Sequence, residues 1–194
     1  MLAKRRVLLG ERTIELVGAC PRVGMPLPAA TFAIPAARNA IEPLRYGDLL
    51  QGQVFVSTLP NIGKHACAAQ ILGLEEALEK RAPEARLFHV SADEPRFWRE
   101  VDLIHPTLRA SGYSLFGVDS ESVQAFSHLF GVAVVGTQRI AHGIFGIFDG
   151  FVTAAEIPDQ QLGVPSIGRF LHRALSAQSE MLGVGCAAGC RHDQ

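Results

Sequence analysis

Residues 53–67 read QVFVSTLPNIGKHAC, and this stretch decides the fold. Its first seven residues are rich in β-branched and aromatic side chains and stop at Pro60, which predicts a central strand. Residues 66–80 then change to Ala, Gln, Leu, Glu and Lys, which are good helix formers. The apolar side chains of this segment recur at helical spacing, at Ile71, Leu74 and Leu78. The stretch therefore predicts a buried strand that passes through a short loop into a long helix.

The same alternation continues on both sides of this unit. Strands are predicted at residues 13–17, 31–34, 86–90, 113–118, 143–148 and 151–157. Helical segments are predicted at residues 46–50, 96–102, 120–129 and 165–182. Ser91 or Asp93 is expected to cap the helix at 96–102, and Asp119 or Ser120 the helix at 120–129. Strands that alternate with helices indicate an α/β fold with a mixed sheet covered on both faces.

One domain is expected over residues 13–182, since a chain of 194 residues usually forms one compact unit. Residues 1–12 are interpreted as a loosely held leader. Residues 183–194 are interpreted as a flexible tail that contains cysteines.

Composition excludes several classes of function. Hydrophobic residues make up 48% and charged residues 19% of the chain, which is typical of a globular protein. A formal net charge of −1 gives no bulk attraction for nucleic acid or for an anionic membrane. No apolar stretch approaches the roughly 20 residues that span a bilayer. A cytoplasmic location is expected, where disulfides are transient and catalytic, so each of the four cysteines poses a question of reactivity.

Cys67 is the strongest candidate for chemistry. It lies in the first turn of the predicted helix, where unpaired backbone N–H groups and the helix dipole favour an anion. Lys64 and His65 can add positive charge, and Pro60 fixes the entry to the loop. These features predict a lowered pKa and a reactive thiolate. The alternative is a small residue packed beneath the sheet, because free cysteine is commonly buried.

The spacing Pro60-x-x-x-Lys64-x-x-Cys67 resembles the Pro-x-x-x-Thr/Ser-x-x-Cys signature of peroxiredoxins, and the thiol peroxidase (atypical two-cysteine) branch is the closer match. Over residues 13–175, further matches follow in order: residues 13–18, Val23-Gly24, Thr31-Phe32-Ala33, Cys67-Ala68-Ala69, Val90-Ser91-Ala92-Asp93 and residues 126–132. The resemblance implies a thioredoxin-like domain, with helices flanking a mixed central sheet, an N-terminal β-hairpin and often a homodimer.

The resemblance also implies roles for single residues. Cys67 would be the peroxidatic cysteine, whose thiolate attacks the peroxide O–O bond and becomes a sulfenic acid. Pro60 would shield the reacting sulfur. Lys64 stands where the family has a hydroxyl, and its ammonium group can stabilise a thiolate but cannot both donate and accept a hydrogen bond.

The family's activating arginine lies at the start of the strand predicted at 143–148. Counting back along this strand places His142 or Gly143 there, with Arg139 a few residues upstream. A histidine would be a weaker, pH-dependent substitute for arginine. An ordinary histidine at a strand end is the alternative.

The family usually carries a resolving cysteine on the helix at 96–102, where this chain has none and Trp98 lies near the expected place. Either a single cysteine works with an external thiol, or Cys190 or Cys186 of the tail resolves Cys67. Incidental tail cysteines and a zinc site are the other interpretations. The tail lacks a standard zinc spacing and a fourth ligand, so no metal is predicted. Cys20 is expected to be structural.

The leading hypothesis is therefore an enzyme, a thiol-dependent peroxidase for hydrogen peroxide or organic hydroperoxides, with no cofactor. Its electrons would come from a thioredoxin-like or low-molecular-weight thiol. A redox-sensing or partner-binding module on the same scaffold, with weak or no peroxidase activity, is the second hypothesis. An inactive structural homologue is the third.

Overall fold

A computed structural model describes residues 3–9, 11–19, 21–160 and 165–183. Its strands are β1 (Ala3–Leu9), β2 (Arg12–Gly18), β3 (Ala33–Ile34), β4 (Ala36–Arg38), β5 (Leu44–Arg45), β6 (Gln53–Leu59), β7 (Arg86–Ser91), β8 (Ser111–Ser114), β9 (Ala133–Val134), β10 (Gly143–Phe148) and β11 (Phe151–Glu156). Its α-helices are α1 (His65–Arg81), α2 (Arg96–Ile104), α3 (Ser120–Leu129) and α4 (Ile167–Met181), and a 3-10 turn covers Tyr46–Leu49.

Six strands form the central sheet in the order β11-β10-β6-β7-β8-β4. Strands β6, β7 and β8 run parallel, whereas β10 and β4 pair antiparallel with their neighbours. The sheet is therefore mixed, as the sequence predicts. The carboxyl ends of β6 and β7 lie side by side, because Leu59 pairs with Ser91. This edge of the sheet positions the segment that leads into α1.

Both faces of the sheet are buried, because successive side chains of a strand point to opposite faces. Val54 and Val56 of β6 join a core cluster that includes Phe126 of α3. Phe55 joins the other cluster, which includes Phe170 of α4. The predicted cover of helices on both faces is confirmed.

The N-terminal hairpin corrects one prediction. Strand β1 pairs with β2 over its full length, from Ala3 opposite Gly18 to Leu9 opposite Arg12. Residues 3–9 are therefore part of a sheet rather than a loose leader. Val7 is buried in the core, and the ion pair of Lys4 with Glu15 (2.8 Å) adds a contact across the two strands. The hairpin itself agrees with the family resemblance.

Two further differences are local. The strand predicted at 113–118 ends at Ser114, because the chain turns at Gly117, whose φ is +72°. The short strands β4, β5 and β9 carry too few residues for a periodic pattern. No helix in the described ranges is long and apolar enough to span a bilayer.

Candidate active site

Cys67 is the third residue of α1, and Lys64 occupies the N-cap position of that helix. The predicted passage from strand β6 to the helix start is therefore present. Pro60 is buried where β6 ends, whereas the side chains of Lys64 and His65 are exposed. The sulfur thus lies at the carboxyl edge of the parallel strands, where ligand crevices form in open α/β sheets.

The Cys67 side chain is fully buried, with a relative exposure of 0%. It belongs to an apolar cluster that also contains Leu59, Ile62, Ile71, Trp98 and Leu108. Burial raises the pKa of Cys67 to about 12, and the charge of Asp93 acts in the same direction. A hydrogen bond from the backbone of Asn61 opposes this rise. The predicted lowering of the pKa is wrong for this conformation. The loss of hydration on burial raises the pKa of Cys67 more than the N-terminus of the helix lowers it.

His142 lies beside the sulfur. Its Nε2 is 3.8 Å from Cys67 Sγ, and only 1% of the residue is exposed. It immediately precedes β10, whose first residue Gly143 pairs with Thr58 of β6. Thr58 Oγ1 also donates to the carbonyl of Ala141 (2.8 Å), which fixes the segment that carries the imidazole. Burial lowers the pKa of His142 to about 4, so both members of the pair are neutral at pH 7.

Arg139 does not join this pair. It is exposed in the loop before β10, and its backbone bonds to Thr137 and Val134. Lys64 is exposed and is not among the groups that shift the Cys67 pKa. Of the predicted site residues, the structure brings together Cys67 and His142, and Pro60 is buried at the end of β6.

Gln70 determines which nitrogen of His142 carries the proton. The amide nitrogen of Gln70 donates to Ser57 Oγ (2.8 Å) and to the carbonyls of Thr58 and Gly143 (both 3.2 Å). Carbonyl oxygens only accept, so this end of the amide must be the NH₂ group. Its oxygen then faces His142 Nδ1 at 2.9 Å, and Nδ1 must be the donor. The lone pair of Nε2 is left facing the thiol of Cys67.

Gln70 is not among the site residues that the sequence predicts. A signal was present, because Gln70 lies three residues after Cys67 and so shares its face of the helix. A polar side chain among buried apolar neighbours on that face needs hydrogen-bond partners inside the protein.

Asp93 does not cap α2. That helix has Pro95 at its N-cap position and no side-chain cap, so the prediction of Ser91 or Asp93 is wrong. The Asp93 carboxylate instead accepts the backbone N–H of Ile62 (2.5 Å) and the hydroxyl of Ser91 (3.1 Å). At α3, Asp119 caps the helix as predicted, accepting the N–H of Ser122.

Trp98 of α2 is 1% exposed and packs in the same cluster as Cys67. Gly112 of β8 makes room for it, because a Cβ atom there would lie 2.9 Å from the indole ring. Cys20, Cys186 and Cys190 lie outside the described residues. Within the described ranges, no group of three His, Cys, Asp or Glu side chains could hold a metal ion.

A second buried histidine makes folding sensitive to acid. Burial lowers the pKa of His89 to about 3, against about 6.5 in an unfolded chain. From about pH 6 to 4.5 the folded form keeps His89 and His142 neutral, whereas the unfolded chain binds a proton at each. Stability is therefore present above pH 6.5 and is lost as the pH falls. Each histidine should contribute about 1.4 kcal/mol per pH unit to this loss.

We expect His89→Leu to reduce the pH dependence of the unfolding free energy by about 1.4 kcal/mol per unit below pH 6. Urea unfolding at several pH values from 4.5 to 6 measures this slope. His172→Leu, at an exposed position of α4, is the control and should leave the slope unchanged. An unchanged slope in His89→Leu would contradict the assignment of His89 as a buried neutral group.

The chain is similar in fold to solved structures that share 14–17% of its sequence. No protein-family model matches the chain. No curated protein matches it either. Among solved structures, a peroxiredoxin-like protein from Aquifex aeolicus is 17% identical, with a TM-score of 0.71, over 91% of this chain and 98% of that one. A thiol peroxidase from Chromobacterium violaceum is 14% identical, with a TM-score of 0.71, over 89% and 97%.

The reduced 2-Cys peroxiredoxin of Plasmodium vivax is 16% identical, with a TM-score of 0.64, over 82% of this chain and 98% of that one. The three similarities cover most of each chain, and the three proteins share one architecture. The chain therefore has the thioredoxin-like fold of peroxiredoxins and thiol peroxidases, as the resemblance implied.

Proposed function

We propose that the protein is a thiol-dependent peroxidase that reduces hydrogen peroxide or organic hydroperoxides through Cys67. One observation carries the proposal: Cys67, His142 and Gln70 form a hydrogen-bonded row at a helix start in a peroxiredoxin fold. A nucleophile next to a base, with a third group orienting the base, is the arrangement that activates a thiol.

The reaction uses His142 first as a base and then as an acid. Its Nε2 accepts the proton of Cys67 Sγ, and the thiolate attacks one oxygen of the peroxide. The S–O bond forms while the O–O bond breaks, and the leaving alkoxide or hydroxide takes the proton from Nε2. The products are a cysteine sulfenic acid and an alcohol or water. Sulfur is oxidised by two electrons and the peroxide is reduced by two.

His142 accounts for two departures from the peroxiredoxin pattern. The family hydroxyl can both donate and accept, which the ammonium group of Lys64 cannot do. An imidazole with one protonated nitrogen also does both, and Gln70 fixes its orientation. His142 is one of the two positions, with Gly143, that the resemblance offers for the family's arginine, but it becomes a cation only after it has accepted the thiol proton.

Recycling of the sulfenic acid requires two thiols. The first condenses with Cys67-SOH to give a mixed disulfide and water, and the second displaces Cys67 as a free thiol. We propose a thioredoxin-like protein or a low-molecular-weight thiol as the donor, with Cys186 or Cys190 as candidates for the first thiol. Trp98 stands near the place of the family's resolving cysteine, which supports a donor from outside α2. A homodimer and a cytoplasmic location, both expected from the sequence, belong to this proposal.

Cys67→Ser should abolish oxidation by peroxide at this position. Treating the reduced protein with one equivalent of hydrogen peroxide or cumene hydroperoxide, followed by dimedone and peptide mass mapping, measures sulfenic acid at Cys67. We expect the wild type to be labelled and Cys67→Ser to lose peroxide consumption as well. Cys20→Ser is the control and should keep both. If Cys67 of the wild type stays reduced under these conditions, the proposal fails.

The complete burial of Cys67 favours a second candidate, a redox sensor with slow peroxide turnover. Such a protein would consume peroxide slowly but would form a stable mixed disulfide with one partner. Steady-state turnover with an excess of thioredoxin or glutathione separates the two. Many turnovers per protein support the peroxidase, whereas a single oxidation followed by a persistent mixed disulfide supports the sensor.

A further inference from the structure

The segment from residue 60 to residue 64, here called the cover loop, lies between the end of β6 and the start of α1. It places Ile62 in the apolar cluster around Cys67, where only 2% of Ile62 is exposed. Cys67 is itself 0% exposed. A peroxide can reach the sulfur only if the residues around it move, and Ile62 lies in the short loop between β6 and α1.

The cover loop is tied to the sheet through Asp93. Within the described part of the chain, the backbone N–H of Ile62 donates to Asp93 Oδ2 at 2.5 Å, and this bond joins the cover loop to a neighbouring segment. A bond from Lys64 N–H to the Asn61 carbonyl (3.0 Å) closes a turn inside the loop. A bond between an ionised carboxylate and a backbone N–H is stronger than a neutral one.

Asp93 is itself held firmly. Its N–H donates to Ser91 Oγ (3.0 Å), the Ser91 hydroxyl donates to its carboxylate (3.1 Å), and its carbonyl accepts from Ser114 Oγ (2.6 Å). Ser91 ends β7 and Ser114 ends β8, so two buried parallel strands fix the position of the carboxylate. The movable partner in this contact is therefore the cover loop.

We propose that Asp93 is a positioning residue, a latch that holds the cover loop closed over Cys67 and sets how often the thiol becomes accessible. The biological role of the latch rests on the proposed function. The latch itself concerns only access to Cys67, which is the same for any reagent that attacks the sulfur. The negative charge of Asp93 also disfavours the thiolate while the loop is closed. Release of the latch would thus expose the sulfur to solvent.

The rate at which iodoacetamide alkylates Cys67 at pH 7.5 tests the latch. Peptide mass mapping of the full-length protein quantifies the modification at Cys67 alone. We expect Asp93→Ala to raise this rate by about 10- to 100-fold, and Asp93→Asn, which keeps an acceptor oxygen, to raise it less. Asp119→Ala is the matched control, because it removes a similar carboxylate to backbone N–H bond at the start of α3 (2.7 Å).

The urea dependence of the same rate separates local opening from unfolding. Opening of the cover loop exposes little surface, so the faster rate of Asp93→Ala should vary weakly with urea below the unfolding transition. A rate within two-fold of wild type, or a rise equal to that of Asp119→Ala, would overturn the proposal. Alkylation needs no peroxide, so the latch can be confirmed even if peroxide does not oxidise Cys67. Equally, the peroxidase proposal can be confirmed even if Asp93→Ala leaves the alkylation rate unchanged.

Discussion

His142→Leu is expected to slow the oxidation of Cys67 by peroxide by about 10²- to 10⁴-fold. The substitution removes the proton acceptor that lies 3.8 Å from Sγ. Without it, the thiol with its raised pKa must lose its proton to water before it can attack. The measurement is the second-order rate constant for sulfenic acid formation, from quenched reactions analysed by mass spectrometry.

The control uses the same substitution at the other buried histidine. Within the part of the chain that the structure describes, both ring nitrogens of His89 lack a hydrogen-bond partner, so His89→Leu removes no hydrogen bond there. It should change the rate of Cys67 oxidation by less than about three-fold if general acid–base catalysis belongs to His142 alone. Equal rates in His142→Leu and wild type would contradict the mechanism. Circular dichroism establishes that each variant is folded before rates are compared.

Trp98→Ala is expected to lower the free energy of unfolding by about 3–5 kcal/mol. The indole is 1% exposed and fills the space that Gly112 leaves open, so its loss creates a large cavity beside Cys67. Urea unfolding followed by circular dichroism measures the change, because Trp98 is the single tryptophan and fluorescence is lost with it.

Phe116→Ala is the matched aromatic control. Phe116 is 56% exposed, so its truncation should cost less than about 1 kcal/mol. A loss below about 1.5 kcal/mol in Trp98→Ala would show that the indole does not support the core as described.

Local sequence determines most of the fold. The β-branched run of β6, the helical spacing after Cys67 and the acidic cap at Asp119 act over a few residues, so the pattern predicts them. Asp149-Gly150 likewise marks the turn between β10 and β11. The sequence does not predict strand β1, because basic residues at its start precede Val7, which becomes buried only when the hairpin packs on the core.

The state of the site depends on contacts between distant segments. Lys64, His65 and the helix start all favour a thiolate locally, yet Trp98 and Leu108 help to enclose the sulfur and reverse the sign of the pKa shift. The orientation of His142 depends on Gln70, whose amide is fixed by carbonyls of β6 and β10. Neither relationship can be predicted from the sequence alone, because both depend on which strands pair in the folded sheet.

Cys67 and His142 are separated by 75 residues in the chain, and the pairing of β10 with β6 brings the imidazole to the sulfur. During synthesis Cys67 therefore leaves the ribosome well before His142 does. A nascent chain that ends before β10 holds Cys67 without His142 beside it. The enclosing side chains lie between residues 59 and 108, whereas His142 joins Cys67 only when β10 completes the sheet.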